Sequence, residues 1–246
     1  MKITKEDLIN CGIDPSLYNS NDMSAIENNA DRIKNGELSS LLSEISARHP
    51  NEKALKDNTD AERLAVIERI KELSSLLDTV YELCCQKQSI FSSSLSPDEI
   101  DKILVGSMHA FNKMFEVKDK ALDGISAMFS FKQQLAEIHA EYNQKLYRAG
   151  MINAAFAVVS PDEDNSEIID ASSNAFEMFN DLTEFINDTN DRIIIFDEAI
   201  NHKLAKSWAD ITLYLDFEGD GANINTQKVR SSIESAKQIL KDVVER

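Results

Sequence analysis

Between Pro97 and Pro161 the chain runs 63 residues without a proline, and apolar side chains recur along it in steps of three, four or seven. Ile103, Ala110, Met114, Val117, Ala121, Ile125, Met128, Phe131, Leu135, Ile138, Tyr142, Ala149, Ile152 and Phe156 make one stripe. That spacing places side chains on one face of an α-helix. A second stripe, Leu104, Phe111, Phe115, Leu122 and Phe129, widens the N-terminal half. Unbroken, such a helix would reach roughly 90 Å at 1.5 Å per residue. Gly106, Gly124 and Gly150 are the expected bending points, because glycine inside a helix costs about 1 kcal/mol.

A second long stripe follows the turn "VSPDEDNSE". It runs Ile168, Ser172, Ala175, Phe179, Leu182, Ile186, Thr189, Ile193, Phe196, Ile200, Leu204, Trp208, Ile211 and Leu215. Its period lies between about 3.5 and 3.6 residues, as in long packed helices. "RIIIFDEAI" would suit a strand locally, but the stripe passes through it in phase, so helix is expected. Ser96, Pro97 and Glu99 form a capping-box start for the first long helix, and Ser160, Pro161 and Glu163 repeat it for the second. Long helices joined by a short turn lie antiparallel.

Each long stripe is too wide for one partner. A helix over residues 60–92 (Leu64, Ile67, Ile70, Leu73, Leu77, Val80, Cys84, Phe91) and a final helix over 226–244 supply the remaining faces. The expected fold is all-α: an elongated antiparallel helical bundle built on a long coiled-coil-like helical hairpin. Residues 1–58 read as short N-terminal helices and loops: "TKEDLIN", Ser24–Lys34, Glu37–Ala47, then "RHPNEKALKDNTD" as a loop or frayed linker. Residues 59–246 read as the bundle, with the hairpin over 97–217. Seven glycines and four prolines in 246 residues agree with a chain of few turns.

Charge narrows the partners. The formal net charge is −17, and Asp162–Asp220 holds 16 acids against three bases, Arg192, Lys203 and Lys206. Such a chain repels nucleic acid and anionic membranes at long range and tolerates basic partners and divalent cations; a basic partner is expected to meet the C-terminal part. The acidity also serves as a plain solubility device. The three cysteines, Cys11, Cys84 and Cys85, do not make a disulfide framework. Cys84 falls on the apolar stripe, which argues for a buried, inert thiol. The start "MKITKEDLIN" lacks the apolar region of a classical signal peptide. No apolar run approaches the roughly 18 residues of a spanning helix. A cytoplasmic protein, or one exported without a classical signal peptide, is expected.

Little in the chain points to chemistry. Asp216, Glu218 and Asp220 precede Gly221 as in a helix–loop–helix calcium site, but Asn223 and Gln227 stand where such a loop needs an apolar residue and a bidentate glutamate. The competing reading is a glycine turn between helices. Those three acids are weak metal candidates, and no metal or cofactor is expected. Glu198 and His202, four residues apart, suit either a shared metal with a third ligand or ordinary surface pairing. His139, in "HAEYN", lacks the second histidine of a zinc-protease helix. Trp208 falls on the buried stripe and reads as core.

The most suggestive stretch is "AGMINAAFAVVSP", residues 149–161, which carries no charge although it sits where the hairpin turns. Met151, Ile152, Phe156, Val158 and Val159 cannot all face one inward stripe. They form a candidate interaction tip, unless the N-terminal region or another helix folds over it. The stretch is too short to span a bilayer, so membrane contact is expected only through residues 149–161 and only after a rearrangement. The expected function is non-enzymatic: a helical protein–protein interaction or assembly protein, of a secretion-related or virulence kind, working through its long surface and tip. Self-association is an equal expectation. The alternatives are the soluble component of an α-helical membrane-active (pore-forming) toxin system, and a hydrolase or metal-dependent enzyme using the acidic C-terminal half.

Overall fold

The computed structural model describes residues 3–30, 37–90, 96–159, 166–215 and 226–245. The described residues are helical, with no strand among them. The helices are α1 (Lys5–Asn10), α2 (Ser20–Ala30), α3 (Glu37–Ser46), α4 (Glu52–Ile90), α5 (Pro97–Val159), α6 (Ser166–Asp197), α7 (Ala205–Leu215) and α8 (Thr226–Val244). A 3₁₀ turn (Pro15–Leu17) precedes α2, and a π-helical segment (Glu198–Leu204) joins α6 to α7. The chain folds into two compact units, each built from two stretches. One holds Met1–Leu55 with Gln133–Asp188, the other Lys56–Lys132 with Thr189–Arg246.

The second unit is a four-helix bundle. Its buried residues come from α4 (Val66, Ile70, Leu73, Leu77, Val80), α5 (Ala110, Met114, Val117, Ala121, Ile125, Met128), the α6–α7 arm (Phe196, Ala199, Ile200, Leu204, Ile211) and α8 (Val229, Ile233, Ala236, Leu240, Val243). On α4 and α8 the steps alternate four and three, which holds a narrow stripe toward a neighbour. Neighbouring helices run antiparallel. A Cβ at Gly124 on α5 would lie 2.7 Å from Val66 Cγ2 on α4, and further along α4 Arg69 Nη1 donates to the Lys120 carbonyl at 2.5 Å. On the other side of α5, Lys132 Nζ donates to Asn190 Oδ1 at 2.8 Å, while Phe115 meets Trp208.

Most of the expected stripe of α5 is buried, and the helix passes Gly106, Gly124 and Gly150 without interruption. Ser96 and Glu99 form the expected capping box. The Ser96 N–H donates to Glu99 Oε2 at 2.9 Å, and the Glu99 N–H to Ser96 Oγ at 3.4 Å. These bonds hold the Glu99 carboxyl below its ordinary range. The corresponding start at Ser160 and Glu163, and the side chains of Cys84 and Phe91, lie outside the described residues.

Three expectations are corrected. Residues from Glu52 onward are helical rather than a loop, because buried Leu55 and Thr59 carry the stripe of α4 back through a polar stretch. Leu64 is not on that stripe: it is 60 % exposed, while Val66, about 200° of helix rotation away, is fully buried. The second stripe of α5 is only partly covered, with Phe115 48 % and Phe129 44 % exposed. Trp208 is half-buried against the core and meets Phe111 and Phe115 edge-on at 5.5 and 5.0 Å.

The π segment has a cause in the spacing. Phe196, Ile200, Leu204 and Trp208 follow at three successive steps of four. Each step overshoots an α-turn by about 40°, so three would rotate the stripe about 120° off the core. A π turn, with its i→i+5 bonds, absorbs that excess. Its wider register is visible in the Glu198–Lys203 ion pair, five residues apart at 3.0 Å. Deleting exposed Asn201 would reset the steps to four, three, four. The deletion variant is expected to fold with stability within about 1 kcal/mol of the parent, the usual span for a change that preserves the core. Chemical denaturation would check this, and loss of folding would mean that the wide turn itself is required.

Candidate functional site: the uncharged end of helix α5

The N-terminal segment is shaped by strong local signals. Thr4 and Asp7 cap α1 reciprocally: Thr4 Oγ1 accepts the Asp7 N–H at 3.3 Å, and Asp7 Oδ2 accepts the Thr4 N–H at 2.7 Å. The helix ends at Gly12, whose φ of 76° is the left-handed conformation glycine allows. There the Ile13 N–H donates to the Leu8 carbonyl and the Gly12 N–H to the Ile9 carbonyl, both at 2.9 Å, a Schellman closure. Asp14 caps the 3₁₀ turn by accepting the Ser16 N–H at 2.8 Å. Asn19 and Asp22 then cap α2 reciprocally through Asn19 Oδ1 and Asp22 Oδ2.

This segment lies on the end of α5. Ile3, Leu8 and Ile26 are buried with Ala154 and Ala155, and Met151, Val158, Ile13, Tyr18 and Met23 pack around them. The two alanines allow the close approach. Polar contacts frame the patch. Cys11 Sγ donates to the Ala157 carbonyl at 3.4 Å, and a hydrogen bond to Asp22 is the main cause of the raised pKa of Tyr147. Burial, then the Asp22 charge, raises the pKa of Tyr18. Of the five residues read as an interaction tip, Met151 and Val158 therefore lie at the edge of a covered patch. Ile152 is buried, Phe156 is half-buried, and Val159 is 41 % exposed.

A buried polar group holds the α3–α4 corner against α5 and α6. Tyr142 is 1 % exposed; its hydroxyl accepts the His49 N–H at 2.5 Å and donates to Glu52 Oε2 at 2.9 Å. Glu52 is equally buried, with Arg48 Nη1 3.4 Å from its other oxygen. Arg48 has a φ of 60° and reaches Asp181 Oδ2 on α6 at 3.3 Å through Nη2. Burial chiefly, with the Glu52 carboxyl, pushes the Tyr142 phenol up to about 12. The sequence signal was the one hydroxyl-bearing side chain on an otherwise apolar stripe. Nearby, His139 stacks on Phe179 at 4.3 Å, with Nε2 2.9 Å from Thr183 Oγ1. Thr183 donates its proton to the Phe179 carbonyl, so His139 is the donor in that pair. Burial lowers its pKa.

These groups position helices; none forms a nucleophile–base pair in a cleft. Among the described residues no cluster of three or more His, Cys, Asp or Glu side chains has metal-binding geometry. Asp216, Glu218 and Asp220 lie outside the described residues. Glu198 pairs with Lys203. No described helix is long and apolar enough to cross a membrane. Comparison with protein-family models, with curated proteins and with solved structures yields no match to this chain.

Proposed function

We propose that this protein is a non-enzymatic helical interaction or assembly protein. In this reading α5 and α6 form an elongated, coiled-coil-like hairpin, and the uncharged end of α5 is a contact surface kept covered by the N-terminal segment. The observation that carries it is the small apolar patch of Ile3, Leu8, Ile26, Ala154 and Ala155, a cluster distinct from the large bundle core. A patch of this size gives a modest seal: at about 25 cal/mol per Å² of apolar area, a few side chains contribute only several kcal/mol before ordering costs. A partner offering a larger apolar face would compete with it. The same arrangement supports a second reading, the soluble component of an α-helical membrane-active system, in which the uncovered end meets lipid.

The test lifts the cover by Leu8→Asp with Ile26→Asp. With helicity unchanged by circular dichroism, light scattering is expected to show self-association, reversed by adding Phe156→Asp with Val159→Asp. Co-sedimentation of the uncovered variant with neutral phosphatidylcholine vesicles would favour the membrane reading. An uncovered variant that stays monomeric and ignores vesicles would make the end of α5 ordinary core and sink both.

A further inference from the structure

The outward face of α6 in the first unit is built unlike an idle surface. Ile169 and Phe176 are 65 % and 53 % exposed, with small exposed Ser173 and Asn180 between and beyond them. Steps of four, three and four put these four residues in one row. Beside it Asp170, Glu177 and Glu184 follow at intervals of seven and form a parallel acidic row, all exposed. Among the described residues, none of these three acids has an ion-pair partner, whereas Asp181 on the same helix is held by Arg48. Two large apolar side chains with small residues around them leave room for knobs from an incoming helix, and the acidic row lies along one flank.

From this juxtaposition we infer that α6 docks a basic amphipathic helix of a partner protein, its apolar side chains on Ile169 and Phe176 and its lysines or arginines on the acidic row. Helix docking on anchors spaced along a face is a common recognition mode, and charge complementarity selects the partner. A second copy of this chain fits badly: a parallel self-pairing would leave both acidic rows without basic partners, and an antiparallel one would bring the two rows together. An anionic membrane is repelled for the same reason. The inference rests on the reading of the protein as an interaction protein, but it uses a surface other than the covered end of α5.

The probe is an 18-residue peptide of leucine and lysine with leucines at helical spacing, and the control is its leucine–glutamate counterpart, both followed by fluorescence anisotropy. The leucine–lysine peptide is expected to bind at equal stoichiometry, more weakly as salt rises. Ile169→Asp with Phe176→Asp should weaken it at least tenfold. This outcome is informative because the added negative charge alone would strengthen attraction. Glu177→Lys with Glu184→Lys should also weaken it at least tenfold. The same charge change on α5, at exposed Glu137 and Glu141, should alter it less than twofold. All these positions are exposed, and circular dichroism checks that each variant is folded. Equal losses from the α5 and α6 reversals, equal binding of the glutamate peptide, or unchanged binding after the Ile169 and Phe176 replacements would each overturn the proposal. Loss of binding only with Phe156→Asp and Val159→Asp would overturn it while leaving the covered-end reading in place. Binding on α6 with a monomeric, inert uncovered variant would do the reverse.

Discussion

Replacing Tyr142 by phenylalanine is expected to cost about 2–3 kcal/mol of folding stability, although the change removes a single oxygen. That oxygen serves two groups at once, accepting the His49 N–H and donating to the buried Glu52 carboxyl. Phenylalanine keeps the packing and orphans both partners, and a buried polar group left without its partner costs about 1–3 kcal/mol. Adding Glu52→Leu should recover roughly half of the loss, because one of the two orphans is then gone; a double-mutant cycle by urea denaturation reads the coupling. A single-variant cost under about 0.5 kcal/mol would mean that water or a shifted Arg48 replaces the hydroxyl. The phenol also sets an alkaline limit. Its folded pKa, about 12, lies above the ordinary 10.0, so the folded state favours the protonated form. The stabilisation is complete below pH 10 and is lost as pH rises from there through about 12. The phenylalanine variant should lack this dependence.

Gly124→Val is expected to cost about 3 kcal/mol, whereas Gly150→Ala should add up to about 1 kcal/mol. The two glycines sit on the same helix and look alike in sequence. A Cβ at Gly124 would lie 2.7 Å from Val66 Cγ2, 2.8 Å from Arg69 Nη1 and 3.2 Å from Glu62 Oε2. The Arg69 guanidinium can swing aside only by giving up its bond to the Lys120 carbonyl, and Val66, short and fully buried, cannot give way without displacing α4. At Gly150 a Cβ meets nothing within 4 Å, and only the gain in helix propensity remains. Val66→Ala in the Gly124→Val background should restore part of the loss. Thermal unfolding of the parent and the three variants decides the matter, and a neutral Gly124→Val would mean that α4 and α5 can separate at no cost.

The long stripes were legible because an α-helix turns its spacing directly into a face. From Ala110 to Ile152 on α5, and at Ala175 and Leu182 on α6, most of the periodic residues are buried where a 3.6-residue turn places them. Capping at Ser96 and Glu99 was legible for a similar reason, since it depends on residues three apart. The π segment was half legible: three successive steps of four record the strain, but not that one wide turn absorbs it. The polar group around Tyr142 was not legible. Arg48 and Glu52 are an ordinary local pair four residues apart, but Tyr142 and Asp181 are distant from them and from each other in sequence, and nothing local brings the four together.

The candidate site divides in the same way. The absence of charge in residues 149–161 is a property of the sequence alone. Which residues cover Ala154 and Ala155 depends on contacts between segments more than a hundred residues apart, and which acids of α6 have no ion-pair partner among the described residues depends on how the described helices pack. The sequence by itself determined where the long helices run and the main apolar face of each, because backbone hydrogen bonds and side-chain periodicity act within a few residues; it failed at the polar start of α4, where Leu55 and Thr59 are buried by neighbours. Only the tertiary structure decided which apolar faces meet: that residues up to Leu55 pack with Gln133–Asp188 while the rest of the chain closes a separate bundle. Burial of apolar area has no direction along the chain, so many pairings satisfy the same stripes, and close packing at points such as Gly124 and Tyr142 selects among them.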